Sequence, residues 1–473
     1  MAANLSNLLS KLSASQLATI TFESGVDSSG QISSASFEGY IAATTTAANP
    51  GKPASTIQLS TWQTHLGTGA TVSYSFLSGG AAYAFTGLEQ DYATQALQLW
   101  SGVANINFAY RLPAQGAQVV FLHSFDKLSA QPNPVPAGTA WSPGAAIDTQ
   151  TTGLVQQQTG SINVDNTSTQ GGALSYGSIS SYTSVEGFGI DSLIHEAGHL
   201  LGLGHSGPYN STGPSDKTDF ATLQNNNTDV LQWSVMSYIS PNSKTAPNYG
   251  KYNPLPSDTT EAAWGNQRAP FSPMGMDIFA AQRLYGAPTS TMFSGGKTFG
   301  FNSTVMYRKI DGTQGKLSMF DFDQTYDANG NATHLNDETP VLTLFDTGAN
   351  NTFDVSGFTT ASNIDLRDGE FSSVASLHDN IFIEYGTQID HVIGGAGDDT
   401  FTVNDRSDVI DGGGGVNTVK FVSPRSAYVL SYSGASTILT NSSSGAAYRL
   451  TNIQQFQFGA APAIALSDLP RVQ

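Results

Sequence analysis

Apolar and polar positions change rhythm about three fifths of the way along the chain. From Thr71 the segment TVSYSFL alternates apolar and polar residues as a half-buried strand does. Between Gly87 and Val103, residues Leu88, Tyr92, Ala96, Leu99 and Val103 fall on one helical face. Strand-like runs follow at INFAY, AQVVFLH and GSINVDN. Further helices are predicted from about Val185 to Leu201 and from about Met274 to Tyr285, the last stopped by Gly286 with Pro288 beyond. This succession describes an α+β layer. Ahead of it, Leu5, Leu8, Leu9 and Leu12 at helical spacing predict a short amphipathic helix docked on another part of the chain. Residues 23–60, rich in Ser, Thr, Ala, Gly and Pro, read as an irregular lead-in, with order expected from Thr71.

Past Thr289 helical periodicity disappears, and short apolar runs alternate with Gly, Asn and Asp turns, which predicts an all-β domain. Nine-residue rows from Tyr385 align YGTQIDHVI, GGAGDDTFT, VNDRSDVID and GGGGVNTVK. Their sixth column is Asp390, Asp399, Asp408 and Asn417, and their eighth is Val392, Phe401, Ile410 and Val419. A repeat of this period describes a parallel β-roll in which each row is a turn plus a short strand, with the eighth residue inward and rows eighteen apart stacked on one side. The turns from Gly394 (Gly394, Gly395, Gly397) and from Gly412 (Gly412, Gly413, Gly415) would then be neighbours, and their carbonyls with Asp399 could hold structural Ca2+ through oxygen ligands. The plainer alternative is a glycine-rich loop. Three segments result: residues 1–60 as a lead-in that could be a prosegment with a docking helix, 61–288 as the α+β domain, and 289–473 as a β-sandwich and β-roll domain.

Composition narrows the function classes. The formal net charge of −18 argues against a nucleic-acid partner, since phosphate binding needs clustered Lys and Arg; calcium suits surplus carboxylates better. With no cysteine there is no disulfide framework, thiolate metal site or cysteine nucleophile, so any metal must use His and carboxylates. No stretch approaches the roughly 20 apolar residues that span a bilayer, so no integral membrane segment is expected. The N-terminus has neither a continuous apolar core nor a basic start, so the protein is expected to be cytoplasmic or exported without a classical signal peptide.

The chemistry concentrates in Ile194-His195-Glu196-Ala197-Gly198-His199-Leu200-Leu201-Gly202-Leu203-Gly204-His205. Residues four apart share a helix face, so His195 and His199 can both aim a ring nitrogen at one ion. Glu196 is too far round the helix to be an easy third ligand but can reach a metal-bound water. Gly202 allows the chain to turn back and bring His205 to the same metal. Three neutral histidines and one open position are the donor set of a catalytic Zn2+ site, with Glu196 as base. The other five histidines, His65, His123, His334, His378 and His391, are scattered and read as structural. No G-x-S-x-G is present to suggest a serine hydrolase.

This long motif resembles the metzincin zinc endopeptidases, and Ser234-Val235-Met236-Ser237-Tyr238 looks like the Met-turn of the serralysins among them. By that resemblance Met236 underlies the metal, and Tyr238 is both a resting zinc ligand and a catalytic donor to the oxyanion. Taken alone, the two would read as a buried methionine and a packed tyrosine. LQLWSGVANINF resembles the family's first helix leading into a strand, DIFAAQRLYGAP its closing helix, and LFDTGANNTFDVSGF through IDHVIGGAGDDTF its calcium-binding β-domain, which places Asp346 and Gly348 beside the glycine turns as candidate calcium ligands. The similarity runs from about Thr71 to Phe401. It implies a metzincin-like catalytic domain, a twisted mixed sheet with an active-site helix, followed by an all-β domain containing a short parallel β-roll.

The same resemblance implies a secreted, monomeric zinc endopeptidase that cleaves peptide bonds of extracellular proteins, exported by type I secretion machinery. Substrate would lie extended along an edge strand at Gly138-Thr139-Ala140-Trp141, before Ser142-Pro143. The sequence departs from the family in three places. Ser206 follows the third histidine where serralysins usually have proline; Asn351 and Asn417 stand where acidic ligands are expected, implying fewer or weaker calcium sites; and SDLPRVQ lacks the acidic-then-apolar export ending. Rival readings are a zinc hydrolase of non-peptide amides and a calcium-dependent surface or binding protein with an inactive metalloprotease domain.

Overall fold

The computed structural model describes residues 7–24, 59–62, 66–76, 85–124, 139–141, 146–147, 154–156, 160–165, 188–207, 224, 226–241, 270–323 and 340–469. They fall into two compact units, one running to Thr291 and one from Met292 onward, with Tyr307–Gly315 grouped with the first. Most of the 23–60 lead-in, together with Leu5, Gly138, Ser142, Pro143 and Val185, lies outside the described residues.

In the first unit the chain forms α1 (Ala14–Ser24), β1 (Leu59–Thr61), β2 (Ala70–Phe76), α2 (Gly87–Val103), β3 (Ile106–Tyr110), β4 (Val119–Ser124), β5 (Thr139–Trp141), β6 (Ala146–Ile147), β7 (Leu154–Gln156), β8 (Gly160–Asp165), α3 (Phe188–Leu200) and α4 (Gly275–Tyr285). Five strands make a mixed sheet in the order β3-β2-β4-β8-β5. The first four are parallel, and β5 is antiparallel to β8 at the edge. A smaller sheet runs β1-β7-β6.

The alternating face of β2 buries Val72, Tyr74 and Phe76; the Tyr74 ring meets Phe121 edge-on, and the Phe76 ring is tilted against Phe85 and Phe121. α2 starts at a capping box, with Thr86 Oγ1 accepting from the Glu89 N–H and the Glu89 carboxylate accepting from the Thr86 N–H. Its Trp100, fully buried, donates its indole N–H to Ile194 O at 3.0 Å and so ties α2 to α3.

The N-terminal expectation is incomplete. Residues 7–9 are helical, but the main helix is α1, further along. Its start is a capping box of Ser13 and Gln16, in which the Ser13 N–H donates to Gln16 Oε1 and the Gln16 N–H to Ser13 Oγ. Leucine spacing pointed away from α1 because the buried face of this helix is mostly polar: Gln16, Thr19, Ile20, Glu23 and Ser24. Order therefore begins well before Thr71, and β1 adds a strand at Leu59.

The second unit contains the repeat. Ile389–Ile393 pairs in parallel with Val409–Asp411, and Thr400–Thr402 with Thr418–Phe421, each at an offset of eighteen residues (His391 to Val409, Thr400 to Thr418). The predicted apolar column is buried throughout: Val392, Phe401, Ile410 and Val419. It continues in register to Phe353 and Ile364 on one side and to Leu450 and Phe456 on the other. Strands of the two sides form sheets of seven and five, so the inward residues meet as layers. At one end of the seven-stranded sheet lies the antiparallel hairpin Tyr428–Ser433 with Ser436–Asn441. The five-stranded sheet ends on the short antiparallel strand Ile464–Ala465.

Sixth-column side chains link successive turns. Asn417 Oδ1 accepts from the Asp399 N–H at 2.9 Å, Asp399 Oδ1 from the Ser362 N–H at 2.7 Å, and Gln454 Oε1 from the Asn417 N–H at 2.7 Å. Asp408 behaves differently, being buried with neither carboxylate oxygen hydrogen-bonded. Burial pushes its carboxyl up to about 8, against the opposing influence of Asn404 and Arg406 and with help from Asp390. The folded protein thus holds this proton more tightly than the unfolded chain. Its contribution to stability is full at acid pH and is lost as pH rises from about 4 through about 8. Asp408→Asn is expected to raise the melting temperature by several degrees at pH 9 and to change little at pH 4; equal shifts at both values would contradict the assignment.

Candidate metal centre

α3 carries His195 and His199 one turn apart. Its C-terminus closes with a Schellman turn in which the Leu203 N–H donates to Gly198 O at 3.0 Å and the Gly202 N–H to His199 O at 2.9 Å. That turn requires φ = 94° at Gly202, a left-handed conformation that glycine adopts without strain. It reverses the chain and returns His205 to the helix. Trp62 and Tyr285 satisfy the last carbonyls, the indole N–H donating to Leu200 O at 2.7 Å and the phenol to Leu201 O at 2.6 Å.

One potential ligand atom from each of His195, His199 and His205 lies within 4.8 Å of the others. His195 Nδ1 sits 2.8 Å from Val235 O, and His199 Nδ1 sits 2.8 Å from Leu203 O. A carbonyl can only accept, so each Nδ1 carries the proton and each Nε2 presents a lone pair. Burial pushes the His195 imidazole down to about 3, with repulsion from His199 adding to it, and burial likewise lowers His199. Both rings are therefore neutral near pH 7. His199 Nε2 and His205 Nε2 are 3.1 Å apart. Two nitrogens facing at that distance, one of them bare, suit a shared cation, and neutral imidazoles are the donor type that Zn2+ takes. The residues fit the metal.

Tyr238 is half-buried, with its ring 4.4 Å from that of His205 and stacked at 5.7 Å on that of His195. Glu196 is buried on the same helix. Met236 is fully buried, and a Cβ on Gly198 would lie 2.5 Å from its sulfur and 3.2 Å from the Trp100 ring. The turn around Met236 hangs on Asp277 of α4. Asp277 Oδ2 accepts from the N–H groups of Val235 and Met274 at 2.7 Å, and Oδ1 accepts from Ser234 Oγ at 2.8 Å. Sequence reasoning missed Asp277, Gly198, Trp100 and Trp62. The one available signal was an acid at the third position of the closing helix, where it can cap its own N-terminus.

The glycine turns do pack as neighbours: the Gly414 N–H donates to Gly395 O at 2.8 Å and the Gly394 N–H to Asp411 O at 2.7 Å. A Cβ on Gly394 would sit 2.5 Å from Gly412 O, one on Gly413 2.3 Å from Gly395 O, and one on Gly415 2.3 Å from Gly397 O. Gly397 is equally tight against Thr360 O. Asp399, expected as a calcium ligand, has both oxygens accepting backbone N–H groups, from Ser362 and Gly395. Asn417 Nδ2 donates to Gly414 O and Asn452 O, and Asn351 Nδ2 to Gly348 O and Gln388 O. Amide hydrogens pointing at carbonyls do not fit a cation there. Asp346 keeps one oxygen without a partner while the other accepts from the Gly348 N–H. Among the described residues the three histidines are the one group of three or more His, Cys, Asp or Glu side chains placed to share a metal.

Residues 311–469 match the family model for the peptidase M10 serralysin C-terminal region. Similar curated proteins include serralysin C of Dickeya chrysanthemi, 30% identical over 67% of this chain and 53% of its own length. Metallopeptidase AprA of Pseudomonas marginalis is 30% identical over 72% of this chain and 61% of its own, and serralysin of Proteus mirabilis is 29% identical over 74% and 63%. The chain thus spans somewhat more than half the length of the relatives it matches. A relationship to metalloproteases agrees with the histidine cluster formed by α3 and the turn after it, and no described helix is long and apolar enough to cross a membrane. Residues 311–469 accordingly form a β-rich C-terminal region of the peptidase M10 serralysin type, and the chain as a whole is similar to serralysins and to metallopeptidase AprA over two thirds or more of its length.

Proposed function

We propose that the protein is a zinc-dependent endopeptidase acting on extracellular proteins, with the metal held by His195, His199 and His205 and with Tyr238 as a further ligand. The carrying observation is the cluster of three histidine nitrogens, with the protons of His195 and His199 fixed on Nδ1 by two backbone carbonyls. Bound zinc supplies Lewis acidity, polarising a peptide carbonyl and acidifying water. Glu196, one residue beyond the first ligand, takes the proton of the attacking water and returns it to the leaving amine. The Tyr238 phenol donates a hydrogen bond to the oxyanion as it forms. Met236 fixes the floor against Gly198. The substrate backbone lies along β5, the outer strand of the mixed sheet among the described residues, whose side away from β8 can extend the ladder to a peptide of almost any side-chain composition.

Export through type I secretion machinery, a monomeric state and structural calcium belong to the same reading. Any calcium in the roll is expected at Asp346 and the glycine carbonyls not engaged by Asn351 and Asn417. Digestion of denatured casein tests the core claim. Cleavage should vanish in a zinc chelator and return with one equivalent of zinc. A protein that binds one zinc and leaves casein intact would sink the peptidase reading.

A further inference from the structure

The back of the metal centre holds a carboxyl group that the mechanism does not use. Glu23, near the end of α1, is 1% exposed. Its backbone carbonyl accepts the Gly204 N–H at 2.8 Å, one residue before His205. Its side chain enters a buried polar cluster beside Ser206 and Ser234, with Asp277 and Asp229 close enough to oppose its ionisation.

We propose that Glu23 is a positioning residue for the metal centre, bracing the His205 loop and the Met236 turn together from behind. The hydroxyls beyond it are directional. Ser206 Oγ donates to Ser234 Oγ at 2.7 Å, and Ser234 Oγ donates to Asp277 Oδ1 at 2.8 Å. Each serine proton is thus spent on the next group, and neither Glu23 oxygen receives a hydrogen bond. Ser234 Oγ already accepts from Ser206 Oγ and from the Met236 N–H, so the acceptor within reach of Glu23 is Ser206 Oγ. Burial drives the Glu23 carboxyl well above the ordinary carboxylate range, Asp277 and Asp229 add to this, and the two serines oppose it. The group is therefore a neutral acid whose O–H can donate to Ser206 Oγ and start the chain.

From Asp277 the chain continues to the Val235 N–H, and Val235 O holds His195 Nδ1. Glu23 consequently reaches both ends of the ligand set, His205 through Gly204 and Ser206, and His195 through Ser234 and Asp277. Ser206 is essential to this route. A proline there would lack both its hydroxyl and its N–H, which points to Met236 O at 3.4 Å. α1 is held in place independently, by Thr19 Oγ1 against Thr228 Oγ1 at 2.8 Å and by Arg283 Nη1 donating to Thr21 Oγ1 at 3.1 Å. A residue of Glu23's shape but without its proton can therefore be tested on an otherwise docked helix.

The inference rests on the three histidines holding the metal, and its test separates the two claims. In the full chain, Glu23→Leu should release zinc to a competing chromogenic chelator about tenfold faster, in the range typical of residues that orient metal ligands. It should also shift the visible absorption of the cobalt-substituted protein. Glu23→Gln, which keeps a donor of the same size, should restore the release rate to within about threefold of the parent. If Glu23→Leu does not fold, Ser206→Ala carries the test, since it breaks the same chain one link on and should reproduce both the faster release and the cobalt shift. Parental release rates and an unchanged cobalt spectrum in the folded variants would overturn the proposal. A parent chain that binds no zinc would overturn the metal assignment instead.

Discussion

Glu196→Gln is expected to lower kcat for peptide hydrolysis by about a thousandfold, within the range for loss of a general acid-base, while zinc stays at one per chain. The reason is placement. Glu196 follows His195 on α3, so it shares the helix that carries two of the three clustered histidines and lies outside the cluster itself. Glutamine keeps the shape and removes the proton acceptor. KM should change little, because the lost interaction belongs to the transition state. The decisive measurement is turnover of a quenched fluorescent peptide alongside metal analysis of the same sample. Residual activity above a tenth of the parent would falsify the role, and loss of zinc would show that Glu196 holds the site rather than acting in it.

Gly198→Ala is expected to be nearly as damaging, by a different route. The new methyl would meet the Met236 sulfur at 2.5 Å, far inside ordinary contact distance, and the Trp100 ring at 3.2 Å, a few tenths of an ångström inside it. Both neighbours are buried, Trp100 is pinned to Ile194 O, and Met236 lies in a turn held by Asp277 and Ser234. Overpacking of this kind costs about 1–3 kcal/mol. Here it also pushes the Met236 turn off α3, and with it Val235 O, the acceptor for His195. Zinc affinity and activity should fall together. Adding Met236→Ala should recover part of the stability, since it removes the atom in the way. The pair would then be less destabilising than the sum of its members in a denaturant series. Strictly additive losses would mean that the methyl is accommodated elsewhere.

Much of this site could be read from residue order because its chemistry is local. His195, Glu196 and His199 sit on one helix, and Gly202 needs only its own freedom to bring His205 round. The helix from Gly87 to Val103 and the eighteen-residue offset of the roll were legible for the same reason, since each is a short-range rhythm. What could not be read depends on partners far apart in the chain. Asp277 reaches Ser234 across more than forty positions, Trp62 caps a carbonyl at Leu200, and Trp100 fastens α3 through Ile194. The helix Ala14–Ser24 was missed because its inward face is polar, and hydrophobic spacing is blind to a face that docks through Thr19 and Glu23. At Asp399 the residue type alone suggested an ion, whereas its two oxygens are filled by backbone N–H groups.

The way the β-roll ends has a consequence for handling the protein. Stacked parallel rungs would present open edges to any other copy of themselves, the usual route to fibres. Here one sheet is finished by the hairpin of Tyr428–Ser433 and Ser436–Asn441, and the other by Ile464–Ala465 laid antiparallel on Gln455–Phe458. Both are stoppers, since an antiparallel strand breaks the repeat that a second roll would have to continue. Trimming the chain ahead of Ile464 for expression or crystallisation would leave Gln455–Phe458 bare, turning a self-limiting stack into a template for assembly.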